Sequence, residues 1–150
     1  TFSDRLLLNR VAYQMIGDRP VAGIGVNNFV NALPDYDRYG LATDFPEPVH
    51  NVFLLFAAET GLVGLMLFVG VILIAAVLLL AAVPSADATL SVSAIGLLGS
   101  LTALATSNLM DVHLRTEALY ALFWLIAGLA TAIHRMSSNT SQPAHRQGRL

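Results

Sequence analysis

A histidine stands where a polar part of the chain meets a long apolar stretch. His50 is followed by Asn51, and from Val52 onward the sequence becomes almost entirely hydrophobic. Because a histidine side chain exchanges a proton near neutral pH, His50 is a candidate general base that takes a proton from an attacking hydroxyl. In the alternative interpretation, His50 is a polar residue at the edge of the apolar stretch and Asn51 is the N-cap of the helix that follows. The residues alone leave both interpretations open.

One carboxylate, Glu59, lies inside the apolar stretch, nine residues after His50. At about 100° per residue, the two side chains would face opposite sides of an unbroken helix, so we do not expect them to form a catalytic pair. A carboxylate placed deep in lipid needs a partner or water. We therefore predict that Glu59 orients structure.

Two arginines lie beside apolar segments of the sequence. Arg5 lies at the edge of the apolar face of a predicted helix over residues 4–16, where it either leans toward whatever the helix packs on or covers apolar surface with its stem. Arg115 belongs to the polar cluster Asp111-x-His113-x-Arg115 beside an apolar segment. A guanidinium at a membrane surface suits a diphosphate, whereas the alternative interpretation of this cluster is a solvated loop.

Gly23 and Gly25 permit a tight turn after the first predicted helix. A dinucleotide-binding fingerprint would need a third glycine at the position of Asn28, and a zinc site would need a Cys/His spacing that the sequence lacks. We therefore expect a structural turn; the alternative is a turn whose N–H groups face an anion. We expect no metal and no cofactor.

The composition is that of a membrane protein. Of the 150 residues, 55% are hydrophobic and 12% charged, and the mean hydropathy is +0.65, outside the usual range of soluble domains. No basic patch points to nucleic acid as a partner. The chain has no cysteine, which excludes disulfides and thiolate metal sites.

The hydropathy pattern predicts an all-α membrane protein with spans over about residues 52–83, 90–109 and 117–133. The first is longer than a membrane requires, so its first two turns are expected to stand in the interface or to bend at Gly61 and Gly64. Residues 1–50 are expected to form a loop region with short helices, the second around Phe29. Residues 134–150 are expected to be a disordered tail on the opposite side of the membrane. Since the chain starts within a helical pattern, we expect a C-terminal part of a larger multi-pass protein.

An ordered set of short motifs resembles the O-antigen ligase and polymerase superfamily. The resemblance covers roughly residues 3 to 80, and the motifs that carry it are Arg5-Leu6-Leu7-Leu8, Pro20-Val21-Ala22-Gly23-Ile24-Gly25 with Asn28-Phe29, His50-Asn51-x-x-Leu54, and Glu59-Thr60-Gly61-Leu62-x-Gly64. No single motif is specific, and the order and spacing of the set favour this family.

The resemblance implies a multi-pass enzyme of the bacterial cytoplasmic membrane that transfers a glycan from undecaprenyl diphosphate. Ligases of this kind attach O-antigen to the lipid A core, and polymerases lengthen a chain of repeat units. By this analogy residues 1–50 are extracytoplasmic and the tail is cytoplasmic, Arg5 binds the donor diphosphate, and His50 activates the acceptor hydroxyl without a metal. The expected partners are a lipid-linked glycan donor, a glycolipid or glycan acceptor, and the lipid bilayer. The alternative function is that of a non-enzymatic multi-pass membrane protein, such as part of a transporter.

Overall fold

The computed structural model describes residues 2–38, 40 and 47–140, with side chains from residue 4. Within these ranges every regular element is helical, which confirms the predicted all-α fold class. The helices are α1 (Phe2–Asp18), α2 (Phe29–Tyr36), α3 (Val52–Ala82), α4 (Ala88–Ser107) and α5 (Glu117–Thr140), with a short 3-10 helix at His113–Arg115.

Helices α3, α4 and α5 are long and apolar enough to cross a membrane. Their first residues lie within two positions of the predicted starts. Helix α5 continues to Thr140, so residues 134–140, which we expected in a disordered tail, are helical. Residues 141–150 of that tail lie outside the described residues.

The chain divides into two compact units. The N-terminal unit comprises residues 1–69 and 105–116, and the span unit comprises residues 70–104 and 117–150. Small and branched apolar side chains form the interior of the span unit, among them Ala75, Leu79, Ala94, Leu101, Ile126 and Ala130. All candidate site residues belong to the N-terminal unit.

Helices α1 and α2 contribute buried side chains to the apolar interior of the N-terminal unit. The buried face of α1 contains Leu8, Val11, Ala12 and Met15. Helical periodicity in the sequence predicts one apolar face, made of Leu7, Leu8, Val11, Ala12, Met15 and Ile16, and all four buried residues belong to it. Helix α1 runs from Phe2 to Asp18, longer at both ends than the predicted range of 4–16. In α2, the fully buried side chains are those of Phe29 and Leu33, and Ala32 lies beside them. Burying a side chain as large as phenylalanine or leucine contributes about 1.5–3 kcal/mol, so this contact holds the two short helices together.

Helix α3 bends sharply at Gly61, whose backbone angles are φ 71° and ψ −177°. The ring centroids of Phe56 and Phe68 are 4.4 Å apart and the rings are stacked. In a straight helix the same two residues would be separated by a rise of about 18 Å. The predicted bend is therefore confirmed at Gly61.

The bend at Gly61 generates a prediction for stability. A Cβ atom at this residue would collide with the carbonyl oxygen of Val21, and the positive φ is itself unfavourable for any other residue. We expect Gly61→Ala to lower the free energy of unfolding by about 2 kcal/mol or more, measured by thermal unfolding of the purified protein in detergent. Gly70→Ala is the matched control, because a Cβ at this position of α3 meets nothing within 4 Å. Equal stability of the two variants would contradict the prediction.

Candidate functional site

The bend in α3 frees backbone groups that would otherwise bond within the helix, and the segment between α1 and α2 takes them up. We call residues 19–28 the docking loop. Three backbone hydrogen bonds connect it to the bend: Leu62 N–H to the carbonyl of Pro20 at 2.7 Å, Ile24 N–H to Ala58 at 2.9 Å, and Gly25 N–H to Glu59 at 2.9 Å. The docking loop thus replaces the missing turn of helix, which satisfies groups that are expensive to leave unpaired.

The two glycines of the docking loop lie against this bend. Gly23 has a φ of 68° and Gly25 a φ of 109°. A Cβ atom at Gly23 would collide with the backbone of Glu59, whereas at Gly25 it would meet only the side chain of Asn28, at 3.7 Å. Gly23 is therefore required for close approach of two backbones, and Gly25 for its backbone conformation.

The carboxylate of Glu59 lies within the same junction. The residue is 8% exposed. Its two oxygens accept hydrogen bonds from the backbone N–H groups of Asn27, at 3.0 Å, and Phe29, at 3.1 Å. These donors lie at the N-terminus of α2, where the helix dipole favours a negative charge. The N–H groups of the turn do face an anion, and this anion is a side chain of the same chain.

His50 contacts two carboxylates. Its Nδ1 lies 3.3 Å from Oδ1 of Asp111 and its Nε2 lies 3.0 Å from Oε2 of Glu47. The N–H of Val112, which donates to Oδ1 of Asp111 at 2.8 Å, and the contact with His50 hold the pKa of the Asp111 carboxyl below its ordinary value. An ionised Asp111 accepts a hydrogen bond from Nδ1–H, so that in the neutral histidine the lone pair is on Nε2.

Glu47 lies at Nε2, the ring nitrogen of His50 that Asp111 does not hold. With both carboxylates ionised, the two contacts of His50 are hydrogen bonds at the same time only when the imidazole carries two protons. The Glu47 side chain is 69% exposed, whereas that of His50 is 19% exposed. An exposed carboxylate can leave Nε2 at little cost, because water solvates it. Nε2 can therefore become available to another hydrogen-bond donor while Asp111 continues to hold Nδ1.

Asn51 attaches the start of α3 to the end of α4. Its Oδ1 accepts the N–H of Leu54 at 3.0 Å, which makes it the N-cap of α3, and its Nδ2 donates to the carbonyl of Leu109 at 3.1 Å. In addition, the N–H of Val52 donates to the carbonyl of Asn108 at 3.0 Å. These bonds bring the segment after α4 beside the residue that precedes α3, and so place the histidine next to its aspartate partner.

Sequence reasoning missed the two carboxylates that contact His50. Asp111 is 61 positions away and was interpreted only as part of a loop cluster. A signal was available, because two consecutive spans run in opposite directions. The residues after the second span therefore return to the side of the membrane on which the first span starts. Glu47 carried no signal beyond its closeness in sequence.

The two candidate arginines differ in their placement. Arg115 donates from its guanidinium to Oδ1 of Asn27, the residue whose N–H binds the Glu59 carboxylate. It also lies four residues after Asp111, on the segment that supplies the partner of His50. Arg5 is exposed on α1, and the side-chain contacts of His50 within the described ranges are with Glu47 and Asp111. Among the described residues, a side-chain hydrogen bond links Arg115 to the junction, and none links Arg5 to it.

The part of the chain that contains the junction and His50 also matches a known protein family. Residues 1–69 match the family model described as O-antigen ligase. This part of the chain, somewhat less than half of its length, is thus similar to the O-antigen ligase family. No curated protein matches the chain.

The similarity of residues 1–69 to O-antigen ligases, together with three helices long and apolar enough to cross a membrane, points to a multi-pass membrane protein with a ligase or polymerase role in polysaccharide assembly. The matched range contains α1, the docking loop, α2, His50 and the bend of α3. Asp111 and Arg115 lie outside it, although they contact residues within it. The candidate site therefore includes the segment after α4 as well as residues of the matched range.

The buried carboxylate of Glu59 generates a second prediction. Glu59→Ala leaves the N–H groups of Asn27 and Phe29 without their acceptor. The N–H of Phe29 is buried, and an unpaired buried donor costs about 1–3 kcal/mol. We expect a marked loss of thermal stability in detergent. Glu59→Gln should have an intermediate effect, because its amide retains one acceptor oxygen. Glu117→Gln, at an exposed position at the start of α5, is the control and should be near neutral. If Glu59→Ala were as mild as this control, the Glu59 contacts would not stabilise the junction.

The lowered pKa of Asp111 generates a third prediction. A carboxyl whose folded pKa is below its unfolded value stabilises the fold above the unfolded pKa, and this stability is lost as the pH falls through the folded pKa. We expect wild type to be more stable than Asp111→Asn at pH 5 and the difference to shrink toward pH 3. Thermal unfolding at the two pH values tests this, and a difference independent of pH would contradict it.

Proposed function

We propose that the protein transfers a glycan from an undecaprenyl-diphosphate carrier to an acceptor hydroxyl during assembly of cell-surface polysaccharide or lipopolysaccharide. The observation that carries the proposal is the contact of Nδ1 of His50 with Asp111 at 3.3 Å. His50 lies just before α3 and within the range that matches O-antigen ligase. An imidazole held at one nitrogen by a carboxylate is arranged to take a proton at the other.

The proposed reaction is a single displacement at the anomeric carbon of the donor sugar. His50 Nε2 takes the proton of the acceptor hydroxyl, and the acceptor oxygen forms a bond to the anomeric carbon. The bond from this carbon to the diphosphate oxygen breaks, and its electron pair leaves with the diphosphate. The histidine becomes an imidazolium, which the ionised Asp111 stabilises. Asp111 is thus a positioning residue.

The negative charge that develops on the leaving diphosphate requires a positive partner. Guanidinium groups bind phosphate oxygens through several parallel N–H donors and remain charged at all physiological pH values. We assign this role to Arg5, from the family resemblance, and to Arg115, from its position beside the docking loop. With these groups as the cationic partners, the proposal includes no metal ion.

We further propose that the protein lies in the bacterial cytoplasmic membrane with its active face extracytoplasmic. In this orientation residues 1–50 and the segment after α4 meet the lipid-linked glycan, and residues 134–150 are on the cytoplasmic side. The proposed partners are the lipid-linked donor, a glycolipid or glycan acceptor, and the bilayer. Lipid A core as acceptor would define a ligase, and a second lipid-linked repeat unit would define a polymerase.

The test uses the full-length protein reconstituted in lipid vesicles with the lipid-linked glycan of its host. We expect His50→Ala to reduce the rate of glycosyl transfer by about 10²–10⁴-fold, since this is the usual contribution of a general base. Asp111→Asn should reduce kcat by a smaller factor with little change in KM, and should shift the pH profile of kcat, which a purely structural role would not do. Arg5→Ala and Arg115→Ala should weaken transfer through donor binding.

His113→Ala is the matched control, because His113 is an exposed histidine close to the site. This variant should retain normal transfer and membrane abundance. Normal transfer by His50→Ala would remove His50 from the mechanism. If the wild-type protein moved lipid-linked glycan across the vesicle membrane without forming a glycosidic bond, the transporter alternative would replace the enzyme.

A further inference from the structure

A polar cleft lies between α1 and the end of α2, apart from His50 and its partners. Its volume is about 390 Å³, and it is lined by Gln14, Asp18, Asp35, Tyr36 and Arg38. This volume lies in the range of sites that bind small molecules. None of the lining residues takes part in the reaction proposed above.

The chemistry of the lining favours one class of ligand. All five side chains are polar: the two carboxylates accept hydrogen bonds, the guanidinium donates several, and the amide and phenol groups do both. An apolar ligand would leave these groups unpaired. The two acids outnumber the single arginine, so a phosphate or diphosphate would meet net negative charge. A ligand with many hydroxyl groups satisfies donors and acceptors together.

Tyr36 adds an aromatic surface held in a defined orientation. Its side chain is partly buried and packs against the apolar interior of the N-terminal unit. Burial, together with the charge and hydrogen bond of Asp18, raises the pKa of the Tyr36 phenol. The phenol therefore stays protonated and donates to Asp18. The ring face attracts the C–H groups of a sugar ring, because aromatic faces carry partial negative charge.

We propose that this cleft is a saccharide subsite that holds a sugar residue of the glycan on which the protein acts. The proposal rests on the proposed function for the identity of the glycan, and on the cleft itself for the class of ligand. Asp18 and Asp35 accept hydrogen bonds from sugar hydroxyls, and Arg38 and Gln14 donate to ring or hydroxyl oxygens. Tyr36 packs on one face of the sugar. Binding here would hold the glycan on the N-terminal unit while chemistry proceeds at His50.

The experiment measures binding separately from catalysis. The probe is the oligosaccharide released by mild acid from the lipid-linked glycan that accumulates in host cells lacking the protein. The full-length His50→Ala variant, in lipid nanodiscs, is titrated with this oligosaccharide by calorimetry. Two further changes are then added separately: the double substitution Asp35→Asn with Arg38→Gln, and Tyr36→Leu, which retains apolar packing and removes the ring and hydroxyl.

We expect each cleft variant to raise the Kd for the oligosaccharide by about tenfold or more, which corresponds to about 1.4 kcal/mol. Tyr13→Leu is the matched control, because Tyr13 lies on α1 and is 62% exposed but does not line the cleft; it should leave Kd unchanged. Unchanged binding in both cleft variants would overturn the subsite. The subsite would also be overturned if only Tyr36→Leu weakened binding and this variant also lost thermal stability, because that combination indicates disrupted packing.

The same preparations distinguish this inference from the proposed function. With His50 restored, cleft variants that transfer glycan at the wild-type rate and KM would overturn the subsite and leave the transferase proposal standing. Oligosaccharide binding that depends on the cleft, in a wild-type protein that forms no glycosidic bond with either acceptor, would support the subsite and overturn the transferase.

Discussion

At Gly61 the backbone of α3 leaves the helical conformation, and the docking loop accepts and supplies the hydrogen bonds that the helix no longer makes. Backbone groups without partners are very unfavourable beside lipid, so the bend is stable only while the loop stays in place. The loop in turn connects α1 to α2, whose apolar faces form the interior of the N-terminal unit. One exchange of hydrogen bonds therefore attaches α1 and α2 to the first part of α3, all within the N-terminal unit.

The same junction organises the charged groups. The Glu59 carboxylate neutralises the N-terminus of α2 and holds Asn27, whose side chain receives the guanidinium of Arg115. The segment that carries Arg115 also carries Asp111, the partner of His50. Residues on rigid, mutually bonded segments keep the geometry that catalysis requires. Glu59 thus acts on the site through the backbone that it holds and makes no contact with the histidine.

The proposed chemistry assigns separate tasks to separate elements. The start of α3 provides the base, the segment after α4 orients it and provides a guanidinium, and α1 with α2 provides a surface for sugar. Such a division suits a reaction whose donor is embedded in lipid and whose transferred glycan extends into water. The exposed position of Glu47 beside Nε2 of His50 agrees with the proposed reaction, because in that reaction the acceptor hydroxyl approaches Nε2.

Local pattern in the sequence was enough to predict the all-α class, the starts of the three spans, the buried face of α1 and a bend at Gly61. These features depend on helical periodicity, hydropathy and the conformational freedom of glycine, which are properties of neighbouring residues. The pairing of His50 with Asp111, the acceptance of docking-loop N–H groups by Glu59 and the polar cleft beside Tyr36 were decided only by the tertiary structure. Each of these arrangements joins residues that are far apart in the chain. Helix caps and the bend in α3 bring such residues together through contacts that local periodicity does not encode.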